Sequence, residues 1–307
     1  MEEYLIGTGG WSYFRIPGLN PLVAYAKAFN FVEVNSTFYQ IPQMSEVERW
    51  RRLVPTEFTF SVRAHRSIAY KNRLKPVQEN FEVFKKMRHI CSILGAEILH
   101  LQIRGPVGDL AKNLSDFLAS TDYGKLRIAL EVREAEQSKL PHALLKTMQE
   151  HGLIHSVDLS KGEMPAYESD TLYTRLFGKG KHNIYQPTDG ELVEIDDKAS
   201  GTKSERVMMS FHFVRMYKDA ARLKVYKQTG MFPMITRSTG TASLEEVLGE
   251  DATFPATKQE LMHSQGWKLF DLNESKRVHS RDFLSRLPEG TYGNVREIVD
   301  ALESIKM

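Results

Sequence analysis

The sequence predicts a (β/α)8 barrel followed by a small α-helical module. Short β-branched or apolar runs recur from residue 4 to residue 211, and longer amphipathic stretches separate them. That alternation is what βα units on a parallel sheet require. Eight such units is the number that closes a barrel. No G-x-G-x-x-G follows the first run, which argues against a dinucleotide-binding open sheet.

The expected strands, in order, are Tyr4–Thr8, Phe31–Asn35, Phe58–Arg63, Ile98–Gln102, Ile128–Val132, Ile154–Asp158, Leu172–Leu176 and Val207–Phe211. Helical segments lie between them. The segment Phe81 to Leu94 carries apolar residues at Phe81, Phe84, Met87, Ile90, Cys91 and Leu94, close to a 3.6-residue period. Segments Pro21–Phe29, Leu140–His151 and Met216–Gln228 read the same way. The barrel is expected over residues 1–230 and a linker or cover segment over 231–252, with one short helix at Leu244–Leu248. Residues 253–307 read as the helical module, with Thr257 or Thr291 as a cap and Pro255 and Pro288 as punctuation. Phe254, Trp267, Phe270 and Phe283 are the side chains expected to dock it on the barrel.

Composition narrows the function classes. Forty-one basic and 39 acidic residues leave a net charge of +2, too little to argue nucleic-acid binding from bulk charge. No apolar run approaches the roughly 18 residues that span a bilayer, so no membrane role is expected. The start, MEEYLIGTGG, lacks the basic-then-apolar layout of a signal peptide. Cys91 is the one cysteine, so no internal disulfide and no cysteine-held zinc is expected, which fits a cytoplasmic protein.

Four motifs resemble the YecE-like family, a domain of unknown function numbered 72. They are Gly7-Thr8-Gly9-Gly10-Trp11-Ser12-Tyr13, Phe31 to Tyr39 (F-V-E-V-N-S-T-F-Y), Phe58 to Arg66 (F-T-F-S-V-R-A-H-R), and Tyr173-Thr174-Arg175-Leu176-Phe177-Gly178. Met216 to Arg222 is similar to the family's last barrel helix. The resemblance covers roughly residues 4–230 and implies a TIM-type barrel like those of endonuclease IV and xylose isomerase. By that analogy it implies DNA processing or sugar chemistry. The chain departs from the family pattern at Phe177, where the family has histidine, and at Ser210-Phe211-His212, where it has Phe-Asn-Asn.

In such a barrel the working side chains gather where strands meet the following loops. The catalytic candidates are Glu33, His65, Glu131 and Asp158. The substrate-binding candidates are Trp11, Asn35, Tyr39, Arg63, Arg66, Gln102, Arg133 and Arg175, and His212 is a further imidazole. Glu33 and Glu131 interrupt apolar strands, where a carboxylate is costly unless paired or metal-bound. One alternative is that arginines simply neutralise them. His65 follows Arg63 and precedes Arg66, and flanking positive charge favours its neutral form. The arginines suit phosphate or carboxylate oxygens. The aromatics suit sugar or base faces, or else pack under loops.

Three functions remain open on the sequence. The favoured one is hydrolysis of a phosphate-bearing substrate, above all a nucleic-acid phosphodiester in DNA or RNA, with a divalent metal as an open option. The second is sugar isomerisation or glycoside hydrolysis on the Glu33 and Glu131 carboxylates. The third is nucleic-acid binding without catalysis. Carboxylates about 5–10 Å apart without metal point to the second. Carboxylates locked in ion pairs point to the third.

Overall fold

A computed structural model describes residues 3–133 and 140–305. All eight expected strands form: β1 (Glu3–Thr8), β2 (Phe31–Val34), β3 (Thr59–Arg63), β4 (Ile98–Arg104), β5 (Arg127–Arg133), β6 (Ile154–His155), β7 (Thr171–Leu176) and β8 (Arg206–Phe211). They lie in the order β6-β5-β4-β3-β2-β1-β8-β7. Every neighbouring pair is parallel. The two ends of the sheet meet at one parallel bridge, Val157 to Thr174, so the barrel is nearly closed. The chain therefore folds as the sequence predicts, as an α/β TIM-type barrel with a helical C-terminal region.

β6 is shorter than its expected span. Asp158 turns its carboxylate onto Ser160 N at 3.1 Å and caps a 3-10 turn at Leu159–Lys161, which ends the extended run early. Helices follow the other strands: α1 (Pro21–Ala28), α2 (Met44–Arg52), α3 (Gln78–Leu94), α4 (Leu110–Ala119), α5 (His142–Glu150), α6 (Asp189–Gly201) and α7 (Met216–Thr229). The link from β6 to β7, residues 156–170, is wholly described and holds no α-helix. Its sequence explains this: Gly162 sits at φ 80° and Pro165 follows, with no apolar period to bury. α3 shows the expected face, with Phe84, Met87, Ile90, Cys91 and Leu94 buried, and it ends at the left-handed Gly95.

The chain divides into two compact units, Met1–Phe177 with Asp196–His212, and Gly178–Ile195 with Phe213–Met307. The first holds all eight barrel strands. The second holds α7 and the C-terminal elements: α8 (Gly240–Gly249), β9 (Ala256–Thr257), α9 (Lys258–Ser264), β10 (Leu269–Asn273), β11 (Lys276–His279), α10 (Arg281–Leu284), β12 (Thr291–Tyr292) and α11 (Val295–Ser304). Beside its helices this unit contains two two-stranded sheets, β10-β11 and β12-β9, that the sequence reading did not include. Phe270 and Phe283 lie in its own core with Leu244, Leu248, Leu261 and Ile298, and Phe254 packs against that core. The short helix expected at 244–248 is thus longer and contributes to the same core.

Thr257 caps α9 through a reciprocal box with Glu260, a contact worth about 1 kcal/mol. Thr291 instead pairs with Thr257 in the small sheet. A buried ionic network ties the unit together. Arg222 and Arg277 both donate to Asp189, at 2.5 and 2.8 Å, and Arg277 Nε also reaches Asp271 at 3.1 Å. Asp271 accepts in turn from Ile235 N and Thr236 N, each at 2.8 Å. Among the described residues no helix is long and apolar enough to cross a membrane.

Candidate functional site in the barrel mouth

The site is built in tiers. Leu5, Phe31, Ile98, Ala129, Ile154, Tyr173 and Met208 form one apolar layer inside the barrel. Side chains alternate along a strand, so a step of two residues stays on the same face. That step reaches Gly7, Glu33, His100, Glu131, Ser156, Arg175 and Ser210. Ser61 joins this tier, since it pairs in register with Glu33. A second step reaches the strand ends: Gly9, Asn35, Arg63, Gln102, Arg133, Asp158, Phe177 and His212. An apolar plug therefore carries a charged layer, and the charged layer carries the mouth.

Arg175 is the centre of the charged layer and is 1% exposed. Its Nε donates to Glu33 Oε2 at 2.9 Å and its Nη2 to Glu33 Oε1 at 3.0 Å. Its Nη1 donates to Glu131 Oε2 at 2.6 Å. Tyr173 OH donates to Glu33 Oε2 at 2.7 Å and meets Ser61 Oγ at 2.8 Å. Glu131 Oε1 accepts from Gln102 Nε2 at 3.1 Å and from Arg133 Nε at 2.9 Å. Arg63 links the remaining groups: it donates to Asn35 Oδ1 at 2.7 Å and to Gln102 Oε1, and it lies 3.6 Å from the centre of the Phe38 ring. His100 Nε2 is 3.2 Å from Glu131 Oε2.

Burial alone would push both carboxyls up. Arg175 opposes it, with smaller help from His212, His100 and Arg63 at Glu33 and from His100 and Arg133 at Glu131, and both are held well below the usual range. His212 is itself driven well below its ordinary value, first by burial and then by Arg175. His100 shifts down for the same two reasons. At neutral pH both imidazoles are therefore neutral, and the charge that keeps Glu33 ionised is chiefly that of Arg175. Burial, and next the neighbouring Arg175, lower Arg63 to about 10, which leaves it charged at pH 7.

At the strand ends Phe177 forms a platform. His212 stacks on it at 4.6 Å between ring centres, and the Arg133 guanidinium lies 4.0 Å from its centre. Phe177 N donates to Asp158 Oδ2 at 3.1 Å, and Ser160 N and hydroxyl hold Oδ1. Burial outweighs those contacts and raises the Asp158 carboxyl above its ordinary value. Gly9 leaves room for His212: a β-carbon there would fall 2.1 Å from the imidazole Cε1.

The sequence-predicted residues divide accordingly. Glu33, Asn35, Arg63, Gln102, Glu131, Arg133 and Arg175 join in one network of hydrogen bonds and ion pairs, and Asp158 touches it through the Phe177 backbone. His65 stands apart, half-buried, with Nδ1 2.9 Å from Ser67 Oγ. Burial first, then Arg66, lowers its pKa against a hydrogen bond to the Tyr39 backbone. Arg66 is exposed, Tyr39 is 61% exposed, and Trp11 packs edge-on against Trp50 of α2. The sequence candidates do not include Ser61, His100, Tyr173 or Phe177. Each of Ser61, His100 and Tyr173 stands two residues before a chosen candidate, so the alternation itself could have found them. Among the described residues no group of three or more His, Cys, Asp or Glu side chains is placed to hold a metal ion.

A charged mouth on a nearly closed parallel barrel defines the class of protein. The chain belongs to the family described as Protein of unknown function DUF72, whose profile matches residues 5–230. Two solved structures of that family share the fold. One, from Enterococcus faecalis V583, is 17% identical, with 75% of this chain and 99% of that chain covered and a TM-score of 0.57. The other, from Thermotoga maritima MSB8, is also 17% identical, with 74% and 100% covered and a TM-score of 0.59. A comparison with the curated proteins found no match.

Proposed function

We propose that the barrel mouth binds a phosphate-bearing ligand, with a nucleic-acid phosphodiester as the favoured class. The observation that carries this reading is Arg133. Its Nε is fixed by Glu131 at 2.9 Å and its plane lies over Phe177 at 4.0 Å. The side chain is 31% exposed. A partly exposed guanidinium held at its root suits two-point binding of phosphate oxygens.

Hydrolysis of that phosphodiester is the first reading. Arg133 offsets charge on the phosphoryl oxygens; His65, outside the network, partly exposed and shifted toward its neutral form, takes a proton from the water whose oxygen bonds to phosphorus and returns it to the leaving oxygen as the old P–O bond breaks. Binding without catalysis is the second reading. It is favoured because Arg175 holds both Glu33 and Glu131 as anions and removes them as exchangeable acids or bases. The same fact weakens glycoside hydrolysis on that pair, which needs one carboxyl protonated.

The test is calorimetric titration of the full chain with inorganic phosphate and with a short single-stranded DNA, together with a phosphodiesterase assay. Arg133→Ala is expected to abolish phosphate binding. Turnover lost in His65→Ala with binding retained supports hydrolysis. Binding without turnover in the unmodified chain supports the second reading. No phosphate binding at all overturns both.

A further inference from the structure

The link between β6 and β7 leaves an opening that the proposed mouth does not use. The absence of an α-helix over residues 156–170 leaves a half-open cavity of about 280 Å³ in the barrel unit. It borders Thr171 at the start of β7 and residues 201, 202 and 204 just before β8, so it lies toward the strand starts, away from the mouth. A water takes roughly 30 Å³ in the liquid, so the space exceeds what a few ordered waters fill. It is near the lower size limit of small-molecule sites, about 300 Å³.

We propose that this cavity binds an uncharged, planar heteroaromatic ring of nucleobase size. The lining first argues for a ring. His155 and Tyr167 lie nearly parallel, 24° apart and 6.1 Å between centres. Both are fixed: Tyr167 OH donates to Leu153 O at 2.8 Å, and Ala166 N donates to His155 Nδ1 at 3.0 Å. Leu172, Met164 and Pro165 supply apolar walls. Flat apolar and aromatic surfaces held in place favour a rigid planar guest.

Charge then sorts the guests. Among the described residues no lysine or arginine lines the cavity, and Glu168 is its acidic residue. Arg127 reaches its edge through Thr171 but is paired with Asp170 at 2.5 Å. Burial lowers His155 to about 4, so it is neutral at pH 7. An uncharged guest therefore suits this lining. Thr171 adds a direction. Its Oγ1 accepts from Arg127 Nη1 at 2.7 Å and its hydroxyl turns to Asp170, which leaves one lone pair on the oxygen. A guest with a ring N–H or amino group donates to it. A plain hydrocarbon ring does not.

The experiment is saturation-transfer NMR and calorimetry on the full chain with free adenine as the probe. Adenine is expected to bind, and to bind equally with inorganic phosphate present in excess. Tyr167→Ala and Met164→Trp are each expected to weaken it about tenfold or more. Met164 is 41% exposed, so its replacement tests the site even if loss of Tyr167 disturbs folding. No adenine binding, binding unaffected by Met164→Trp, or displacement by phosphate would each overturn the proposal. A failure of phosphate binding at the mouth leaves these readouts untouched, so the two sites are judged separately.

Discussion

Arg175 holds Glu33 by two parallel hydrogen bonds, at 2.9 and 3.0 Å, and spends its remaining nitrogen on Glu131 at 2.6 Å. One guanidinium thus compensates two buried carboxylates, and each carboxylate has lost most of its water. Removing one partner from such a group typically costs about 3–5 kcal/mol, because the rest is left charged and unpaired. Arg175→Met is expected to lower unfolding free energy by about that amount in urea titrations. A loss below about 1 kcal/mol would mean the cluster is solvated and the arginine dispensable.

Glu33→Gln separates structure from chemistry. It keeps the shape, removes one charge, and leaves Arg175 with Glu131. The expected outcome is a lower urea midpoint with phosphate affinity unchanged, since the proposed phosphate contact belongs to Arg133. An unchanged midpoint with phosphate affinity lost would return Glu33 to the ligand site.

Acid should weaken the fold before the carboxylates titrate. His100, His155 and His212 all have pKa values lowered from 6.5 in the folded chain, by burial first in each case. Their neutral forms are favoured by folding, so this stability is fully present above 6.5 and is lost as pH falls below it. Each contributes a slope of up to about 1.4 kcal/mol per pH unit over that window. Glu33 and Glu131, held low, add a further loss only below their ordinary value of 4.5. Urea midpoints measured across pH 6.5 check this, and His100→Asn is expected to reduce the slope by about one proton.

Arg133→Lys retains the charge but not the fork. Phosphate affinity is expected to drop about tenfold, the free energy of roughly one hydrogen bond to a charged group, while stability changes little. Equal affinity in the lysine variant would reduce the role of Arg133 to a point charge.

Gly9→Ala probes the platform. The added carbon meets His212 at 2.1 Å, and a retreat of the ring disturbs its stack on Phe177. A loss of about 1–3 kcal/mol is expected, as for other overpacked sites, with a shifted His212 ring signal in NMR. An unshifted signal would place the imidazole elsewhere.

Much of this architecture was legible in the residues. Eight strands fell where β-branched runs placed them, because alternating burial leaves a pattern that local sequence carries. Glu33 and Glu131 stood out because a carboxylate in an apolar strand demands a partner. The partner itself was not legible: which of Arg63, Arg133 and Arg175 would take them depends on the order of strands round the barrel, and Arg175 comes from across it. The β12-β9 sheet was missed because strands of two residues, such as Thr291–Tyr292, carry no period. The missing helix after β6 was readable from Gly162 and Pro165, but the regularity of the other links hid it.

The pairing of β1 with β8 has a temporal consequence. Six residues of each strand stand in register, from Glu3 with Arg206 to Thr8 with Phe211, roughly two hundred positions apart along the chain. At the other side, the β6–β7 seam is a single bridge. During synthesis β1 emerges early and waits until almost all of the barrel has been made before its outer edge is covered. Contacts this distant in sequence close slowly. For that interval the nascent chain carries an open strand edge, so the ribosome-bound protein stays exposed to mispairing until β8 has emerged.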